Sequence, residues 1–438
     1  MAAQLDSLSR YAIFHSVIGF LRGNGHLKIA IIGAGTSGLA VAAFLKRSGH
    51  DVTLYEQFDS PRPIGAGLML QPTGLAVLAR LGLDRKAMQA SSRIHGIQGH
   101  VVKSGKAIFN VSYQTLAPHL FGLGIYRGTL FSLLYDEVVR LGVPVVTACC
   151  VTDIRYDEDK MPVLSDGENE HGPFDLVINA QGARAPLREK FVRVKKDKAY
   201  PYAAVWGVCR DHEGAFGDAL HQRYQKARHM IGVMPMGRLN GDACESVAFF
   251  WSLRMHEYPQ WRERGLKAWQ DHVISLWPEV APLVTQFQAP DDLNFAAYGD
   301  VCLRNCHTHR LVFIGDAAHA TSPQLGQGAN MGLLDAMVLD ECLNQTDNIE
   351  AALKAYARKR KKHVRFYQTA SHWLTPFFQS DSYFLPLLRD ASFGIMCRLP
   401  FVRTEMVRTL AGIKTGLFSH MNPKHIHPDY DLHHGKRP

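Results

Sequence analysis

The order of apolar and polar positions at the start of this chain predicts alternating strands and helices. A continuous apolar run covers residues 28–32, and after Gly33 the apolar residues recur at helical spacing as far as Gly49. A second apolar run follows over residues 51–55. Because fully buried strands read as continuous apolar runs, this order predicts a βαβ unit that belongs to a parallel sheet.

Later segments follow two different patterns. Residues 125–179 and 310–344 again combine short apolar runs with helical periods, whereas residues 92–113 and 200–254 contain mainly β-type runs. The second pattern is typical of antiparallel strands. We therefore predict an α/β fold in which two domains are interleaved along the chain. The first domain is expected over residues 27–91, 124–196 and 300–365, and the antiparallel domain over residues 92–123 and 197–299.

The two ends of the chain fit neither pattern. Residues 1–26 are interpreted as an extension before the first strand, since His15 interrupts their apolar stretch and no small-residue cleavage site follows it. Residues 366–438 are predicted to form a helical region, with Val402, Met406 and Leu410 on one helix face. We expect this region to pack on the body of the protein, and the alternative is a peripheral contact with a membrane surface.

Composition and charge narrow the class of protein. With 46% hydrophobic and 20% charged residues, the chain can bury a sizeable core. No apolar run reaches the roughly 18 to 20 residues that span a bilayer. The formal net charge of +9 is spread along the chain, and its densest run, residues 358–362, is typical of a solvated helix face. This predicts a protein that binds anionic small molecules and no nucleic acid.

The cysteine pattern predicts a reducing environment. The eight cysteines are irregularly spaced and do not form the framework of a disulfide-rich secreted protein, so we expect a cytoplasmic location. Cys302, Cys306 and His307 could be metal ligands, but the second pair of ligands that a closed zinc site needs is missing from the sequence around them. We therefore predict no metal site.

The most informative motif is Gly33-Ala-Gly35-Thr36-Ser37-Gly38, which lies between the first predicted strand and helix. In a G-x-G-x-x-G motif the first glycine permits a tight turn, the second lets backbone N–H groups approach a pyrophosphate, and the third lets helix and strand pack closely. The helix N-terminus attracts the phosphates, and Glu56 at the end of the next strand can accept hydrogen bonds from ribose hydroxyls. The motif predicts a bound dinucleotide and leaves both NAD and FAD open.

A second motif favours FAD. The string Gly315-Asp316-Ala-Ala-His-Ala-Thr-Ser-Pro323-Gln-Leu-Gly326-Gln-Gly328-Ala-Asn330 follows a predicted strand. An acidic side chain in this position can accept hydrogen bonds from the ribitol chain of a flavin, which a nicotinamide dinucleotide lacks. The glycines leave N–H groups free at a helix start, and a helix dipole directed at the flavin pyrimidine ring would stabilise the anionic reduced form.

Together these motifs resemble those of the class A flavoprotein monooxygenases, the aromatic hydroxylases related to para-hydroxybenzoate hydroxylase. The resemblance covers roughly residues 27–365. It implies a Rossmann-like FAD-binding domain over the three segments of the first domain, and a substrate domain on the antiparallel sheet. It also implies that the glycines around Gly67 lie against the isoalloxazine and that Arg127 lies near the FAD. The predicted FAD-binding residues are Gly33, Gly35, Thr36, Ser37, Gly38, Glu56, Gln57, Gly67, Arg127, Gly315, Asp316, Pro323, Gly326, Gly328, Ala329 and Asn330.

One segment departs from the family pattern. Gln181 stands where the family carries an aspartate, and Ala185 stands where it carries a serine. Because that signature is associated with both FAD and the nicotinamide donor, the loss of a carboxylate leaves the reductant open, and NADPH and NADH are both expected as candidate electron donors. No second G-x-G-x-x-G follows a later strand, which argues against the reductases that have two Rossmann domains.

The resemblance implies that NAD(P)H reduces the flavin and that oxygen from O2 is transferred, through a flavin C4a-hydroperoxide, to an aromatic or heteroaromatic small molecule. The substrate is expected between the flavin and the antiparallel sheet. The predicted catalytic residues are His221, Tyr224 and Pro323, with Trp206, Trp251 and Tyr298 as further candidates on strands of the antiparallel sheet. His221 is named first because the pKa of histidine suits proton transfer from a phenol.

Some alternatives remain open at this point. The chain could be a flavin-dependent oxidase, reductase or halogenase of the same fold, or a flavoprotein without catalytic activity. His319, although it lies inside the second motif, is assigned to structural hydrogen bonding. The sequence is compatible with a monomer or a homodimer.

Overall fold

The computed structural model describes residues 25–61, 67–239 and 242–432. The helices are α1 (Thr36–Arg47), α2 (Pro72–Arg80), α3 (Asp84–Gln89), α4 (Arg127–Arg140), α5 (Arg188–Phe191), α6 (Tyr258–Arg264), α7 (Leu266–Leu276), α8 (Ala281–Val284), α9 (Asp316–His319), α10 (Gly328–Leu343), α11 (Ile349–Phe378), α12 (Phe384–Met396) and α13 (Pro400–Leu410). The strands are β1 (Lys28–Ile32), β2 (Asp51–Tyr55), β3 (Gly67–Leu70), β4 (Ser92–Ile94), β5 (Gly96–Val101), β6 (Ala107–Ser112), β7 (Gly122–Tyr126), β8 (Val145–Val146), β9 (Asp153–Tyr156), β10 (Pro162–Ser165), β11 (Glu170–His171), β12 (Leu176–Asn179), β13 (Val194–Asp211), β14 (Ala219–Gln225), β15 (His229–Gly237), β16 (Glu245–Arg254), β17 (Asn294–Leu303), β18 (His307–Thr308) and β19 (Leu311–Phe313).

The first sheet has the strand order β18-β19-β12-β1-β2-β8. Its strand β1 is parallel to β2 and β12, which confirms the predicted βαβ unit. Ile29 and Ile31 face a core shared with α1, α4 and α10, whereas Ala30 and Ile32 face the small sheet β9-β10-β11. Both faces of β1 are therefore buried, which explains its continuous apolar sequence.

The second sheet has the order β17-β13-β16-β15-β14-β5-β6 and is mostly antiparallel, as predicted. Strand β14 is the exception, because it pairs in parallel with β5. One face, called here the outer face, packs against α6, α7 and α8 through residues such as Val233 and Phe249. The opposite, inner face carries Met234, Met236 and Ala248 and packs toward β3 and α13.

A small sheet with the strand order β3-β7-β4 lies between the first and second sheets. Its strand β7 pairs antiparallel with both β3 and β4. A Cβ at Gly124 of β7 would lie 2.0 Å from the Pro235 carbonyl oxygen of β15, so glycine is needed for this close approach. The elements next to β3 are thereby held directly above the inner face of the second sheet.

The C-terminal region is helical, as predicted, but its start differs from the prediction. Helix α11 runs continuously over Ile349–Phe378, so the expected boundary at residue 365 lies inside a helix. The reason is local: between Ile349 and Thr375 the sequence has no glycine or proline that would end the helix. The other expected domain boundaries stay predictions, and residues 1–24 of the predicted N-terminal extension lie outside the described residues. In the described part of the chain, none of the helices combines the length and apolar character needed to cross a membrane.

Candidate active site

The glycine turn after β1 has the geometry that a bound pyrophosphate requires. Gly33 has a φ of +103°, and a Cβ there would lie 2.6 Å from the Ala180 carbonyl oxygen. A Cβ at Gly38 would lie 1.9 Å from the carbonyl oxygen of Gly33. Gly35 is exposed, and nothing lies within 4 Å of the position of its Cβ. The first and third glycines are therefore needed for packing, while the second borders open space.

Glu56 lies at the end of β2 and fixes this turn. Its side chain is buried, and it accepts hydrogen bonds from the backbone N–H of Ala34 at 2.7 Å and of Phe58 at 3.1 Å. A carboxylate offers about four acceptor positions, so lone pairs remain for ribose hydroxyls. Gln57, the other residue predicted here, is exposed.

Ser37 joins the two sequence motifs. A Cβ at Gly315 would lie 2.3 Å from Ser37 Oγ, and a Cβ at Gly332 would lie 2.1 Å from the same atom. The Ser37 side chain is therefore directed toward α9 and α10, and only its backbone N–H remains at the phosphate end of α1. The neighbouring Thr36 is half-buried at the start of that helix.

The second motif places a carboxylate beside a free helix N-terminus. Asp316 is exposed at the end of the first sheet, and its Oδ1 lies 3.5 Å from the Cβ position of Gly328, the first residue of α10. No acidic side chain occupies the first turn of α10, and Gln327 does not cap it. The N–H groups of Gly328, Ala329 and Asn330 have no intrahelical acceptors, so this end carries partial positive charge.

The side chain of Asn330 has a positioning role. It is fully buried, donates from Nδ2 to the carbonyl oxygens of Met69 and Gly326, and accepts from the backbone N–H of Gln71 at 2.8 Å. These bonds tie the end of β3 to the start of α10. Only the backbone N–H of Asn330 is left for a ligand.

Gly67 and Arg127 are brought together above the second sheet. Gly67 pairs with Tyr126, the residue before Arg127, in the ladder of β3 and β7. A Cβ at Gly67 would lie 2.5 Å from Met236 Sδ, so β3 is in direct contact with the inner face. Arg127 is exposed at the start of α4.

These residues fit a bound FAD. The open glycine turn and Glu56 follow strands β1 and β2 of the first sheet. Asp316 and the N-terminus of α10 follow strand β19 of the same sheet. The two groups are in contact through Ser37. Residues 62–66, which precede Gly67, lie outside the described residues.

The inner face opposite β3 carries aromatic side chains with polar tips. The rings of Trp206 and Phe250 lie with their centroids 4.6 Å apart, and Trp206 Nε1 donates a hydrogen bond of 2.9 Å to Tyr298 Oη. Burial raises the pKa of Tyr298 to about 12, although the hydrogen bond from Trp206 and the charge of Arg127 act in the opposite direction. Tyr298 is therefore a neutral phenol at physiological pH, and it lies close enough to Arg127 to sense its charge.

The structure does not bring His221 to this site. His221 lies on the outer face, where its ring contacts Phe216 and its Nε2 bonds the Phe216 carbonyl oxygen at 3.1 Å. Its neighbour on the same face, Arg223, lies over the ring of Trp277. Trp251 also lies on this face, against Trp269. Sequence alternation separated the two faces correctly, but it contained no information on which face is turned toward the FAD motifs.

Tyr224 lies on the inner face but is enclosed by the C-terminal helices. Its hydroxyl donates to Gln222 Oε1 at 2.8 Å, and the guanidinium of Arg389 lies 5.0 Å from its ring. Phe109 and Phe378 pack on its other sides. Tyr224 belongs to the same hydrophobic cluster as Phe250 and Trp206, but its hydroxyl is engaged by Gln222 and not by Tyr298.

Pro323 begins a short 3-10 turn, Pro323–Leu325, that ends at Gly326. Next to it, Ser322 Oγ and Thr375 Oγ1 share a hydrogen bond of 2.7 Å. A cavity of about 230 Å³ adjoins this pair and is lined in part by Tyr200, Asp300 and Thr375. The cavity is therefore connected to the second motif through Thr375, which bonds Ser322.

Tyr200 was missed by sequence reasoning. It interacts with Asp300, Ser322 and Thr375, and burial raises its pKa. The available signal was its even spacing from Trp206 within the β-type segment that begins at Tyr200. A bulge in the pairing of β13 with β17, between Ala199 and Ala203, changes the local register and could not be seen in the sequence.

A network of buried charged side chains contacts the second motif at Gly315 and His319. Asp335 accepts hydrogen bonds from the Gly315 backbone N–H at 2.8 Å and from Arg360 Nε at 2.6 Å, and its Oδ2 lies 2.5 Å from His319 Nε2. Burial alone would raise the pKa of Asp335, but His319 and Arg360 hold it well below its usual range. The structural role assigned to His319 is consistent with this geometry.

Comparison with known proteins identifies the family. The FAD binding domain family matches residues 26–370. An FAD-dependent urate hydroxylase from Klebsiella pneumoniae is 27% identical and covers 77% of this chain and 87% of its own length. The aurachin C monooxygenase/isomerase of Stigmatella aurantiaca is 24% identical, over 84% of this chain and 94% of that protein.

Solved structures show the same fold. The Klebsiella pneumoniae HpxO structure with FAD and uric acid aligns with a TM-score of 0.76 at 22% identity, over 90% of this chain and 99% of that one. A tetrameric form of 2-methyl-3-hydroxypyridine-5-carboxylic acid oxygenase aligns with a TM-score of 0.70 at 19% identity, over 87% and 96%. The predicted fold class and the predicted FAD cofactor are confirmed. The chain belongs to the FAD binding domain family and is an FAD-dependent monooxygenase.

Proposed function

We propose that this monooxygenase hydroxylates a planar aromatic or heteroaromatic molecule that binds between the FAD motifs and the inner face of the second sheet. The observation that carries the proposal is the Trp206–Tyr298 hydrogen bond on the face that contacts Gly67, within range of the charge of Arg127. Relatives named for urate, 6-hydroxynicotinate and 3-amino-4-hydroxybenzoate act on rings that carry oxygen substituents, which supports the same substrate class.

Tyr298 is proposed to orient the substrate. Its oxygen accepts the hydrogen bond from Trp206, so its own proton remains available for donation. The raised pKa keeps that proton in place at neutral pH. A carbonyl, phenolate or carboxylate oxygen on the ring is the acceptor that would fit, and the charge of Arg127 would favour an anionic one.

The remaining residues are proposed to hold the cofactor and exclude water. Bound FAD, once reduced, supplies the oxygen activation. Glu56 and the glycine turn hold the adenosine and pyrophosphate, Asp316 accepts from the ribitol, and the N-terminus of α10 favours negative charge on the flavin ring. The buried side chains of Met234 and Met236 keep the inner face dry.

NADH or NADPH is proposed as the reductant, as the family resemblance implies. The glutamine at position 181 has a structural explanation that does not involve the reductant. Its Nε2 donates to the Val151 carbonyl oxygen at 3.0 Å, and its Oε1 accepts from Asn179 Nδ2 at 2.7 Å. An aspartate could not make the first of these bonds, because a carboxylate has no donor.

The test begins with an absorbance spectrum of the purified protein under anaerobic conditions. We expect bound flavin to be bleached by NADH or NADPH, and one member of a panel of hydroxylated rings to accelerate the bleaching. In air, the same compound should yield a hydroxylated product by mass spectrometry. Nicotinamide oxidation that produces only hydrogen peroxide with every ring compound would reject the monooxygenase proposal for this substrate class in favour of an oxidase.

Tyr298→Phe tests the proposed orienting contact. Loss of one hydrogen bond to a charged or strongly polar acceptor should reduce kcat/KM about tenfold and increase the share of uncoupled peroxide. FAD content should not change. Tyr224→Phe is the matched control, because that hydroxyl bonds Gln222 within the aromatic layer. Equal effects of the two variants would contradict the assignment of Tyr298.

The cytoplasmic location and the monomeric or homodimeric state are proposals of the same kind. The location rests on the irregular cysteines of the chain. Size-exclusion chromatography with light scattering would measure the oligomeric state directly.

A further inference from the structure

Helix α12 exposes an apolar face to solvent. Phe384, Leu387, Leu388 and Ile395 are 67%, 67%, 41% and 62% exposed, and their spacing of three, one and seven residues places them on one side of the helix. The opposite side contains the fully buried Arg389. The helix therefore has apolar residues on both sides, because Pro386 and Phe393 pack inward beside Arg389 while these four side chains face solvent.

Arg389 fixes this orientation. Its guanidinium lies over the rings of Tyr224 at 5.0 Å and Phe378 at 5.3 Å, and its Nη1 donates to the Phe377 carbonyl oxygen at 3.0 Å. Asp390 accepts from its Nε at 2.8 Å. Rolling α12 to hide its apolar face would leave a buried cation without these partners, so the exposure is built into the fold.

The exposed surface extends beyond α12. Eleven of the fifteen exposed large hydrophobic side chains in the described part of the chain lie between residues 373 and 418. We call this set the C-terminal apolar surface: Trp373, Tyr383, Phe384, Leu387, Leu388, Ile395, Met396, Leu399, Phe401, Leu417 and Phe418. Phe401 and Phe418 come from different elements, yet their ring centroids lie 6.4 Å apart. The apolar face of α12 and the Phe401–Phe418 pair are clustered exposures of the kind that marks a contact site, whereas single exposed residues do not.

The charges within and around this surface favour an anionic partner. Arg398 and Arg403 are exposed between its apolar residues and have no acidic partner among the residues that the structure describes. Lys226 lies 5.8 Å from the ring of Tyr383.

The acids nearby are already paired. Asp390 is engaged by Arg389, and Glu405 by Arg408 and Lys414. Asp381, next to Tyr383 in the chain, is engaged by Arg254. A second copy of this chain would place like charges against each other, whereas anionic lipid headgroups complement them.

We propose that the C-terminal apolar surface docks this enzyme peripherally on membranes that contain anionic lipid. The aromatic and aliphatic side chains enter the headgroup region, and the unpaired arginines contact the headgroups. The docking goes beyond the proposed oxygenase activity and does not depend on it.

Co-sedimentation of the full-length, FAD-loaded protein with lipid vesicles tests the proposal. We expect binding to vesicles of phosphatidylcholine mixed with phosphatidylglycerol, weaker binding to phosphatidylcholine alone, and loss of the difference at high salt. Leu387→Glu should lower the partition coefficient at least about tenfold. Arg398→Gln with Arg403→Gln should lower binding to the anionic vesicles about fivefold for each arginine removed.

The matched control is Val139→Glu, which introduces the same charge at a 55% exposed position on α4, outside this surface. It should bind vesicles as the unmodified protein does. Flavin absorbance and far-UV circular dichroism report whether each variant remains folded. Absence of vesicle binding by the unmodified protein, or equal losses in Leu387→Glu and Val139→Glu, would overturn the proposal. So would a dimer that Leu387→Glu converts to monomers without any vesicle binding, since the surface would then be a contact between copies.

Discussion

The two faces of the second sheet carry similar side chains and have different neighbours. On the outer face, Phe249 and Trp251 pack against Trp269 of α7 and form a closed aromatic core. On the inner face, the tilted rings of Phe250 and Trp206 pack against each other, and the Trp206 N–H is directed to Tyr298, which lies within range of the charge of Arg127. The number of aromatic side chains therefore does not distinguish a face that packs in a core from a face that borders a binding site. The layer that covers each face makes that distinction.

The largest expected effects come from a pair of glycines, one on each face. A Cβ at Gly232 on the inner face would lie 1.9 Å from the ring of Phe250, and one at Gly207 on the outer face would lie 2.3 Å from the ring of Phe287. Gly232→Ala and Gly207→Ala should each reduce the free energy of unfolding by about 3 kcal/mol, because a ring must move in a packed environment. Denaturant titrations of both variants measure this.

The same two variants should differ in enzymatic activity, because only one of them disturbs the inner face. Displacement of Phe250 also moves Trp206, so Gly232→Ala should lower coupling between nicotinamide oxidation and product formation. Gly207→Ala should leave coupling unchanged, since Phe287 contacts only the outer core. Product yield per nicotinamide consumed, measured at a temperature where both variants are folded, decides this. Similar losses in both would show that the two faces are not functionally distinct.

The buried His363 of α11 should make the free energy of unfolding sensitive to acid. Burial and the charge of Arg360 lower the pKa of His363 on α11 to about 3. In the unfolded chain this histidine takes up a proton below about pH 6.5, while the folded protein keeps it neutral. Stability is therefore lost as pH falls from 6.5 toward 3, by about 2 kcal/mol at pH 5. A His363→Gln variant should show a flatter dependence of the unfolding free energy on pH, and an unchanged slope would contradict this.

The parts that the sequence predicted depend on local chemistry. The turn at Gly33, the partner Glu56 and the free start of α10 follow from strand, glycine and helix signals that are close together in the chain. The resemblance supplied Gly67 and Arg127, and the register of β3 with β7 places them side by side. In each case, neighbouring residues determine the local geometry.

The parts that the sequence did not predict depend on long-range packing. Alternation along β14 puts His221 and Tyr224 on opposite faces, but the layer above each face is contributed by segments far away in the chain. The parallel pairing of β14 with β5 has the same origin. Asn330 was predicted as a cofactor ligand from its motif, yet its side chain is used to hold β3.

The smallest expected effect tests the outer face directly. His221 bonds the Phe216 carbonyl oxygen and contacts the Phe216 ring, and burial lowers its pKa. His221→Ala should reduce the free energy of unfolding by about 1 kcal/mol, through loss of one hydrogen bond and some packing. Because the imidazole faces the helical layer, kcat/KM and its pH profile should stay within about twofold of the unmodified enzyme, in contrast to the larger change expected for Tyr298→Phe. A pH–rate profile that loses one limb in His221→Ala, with FAD content unchanged, would return the catalytic base to the outer face and remove the functional distinction between the two sides of the sheet.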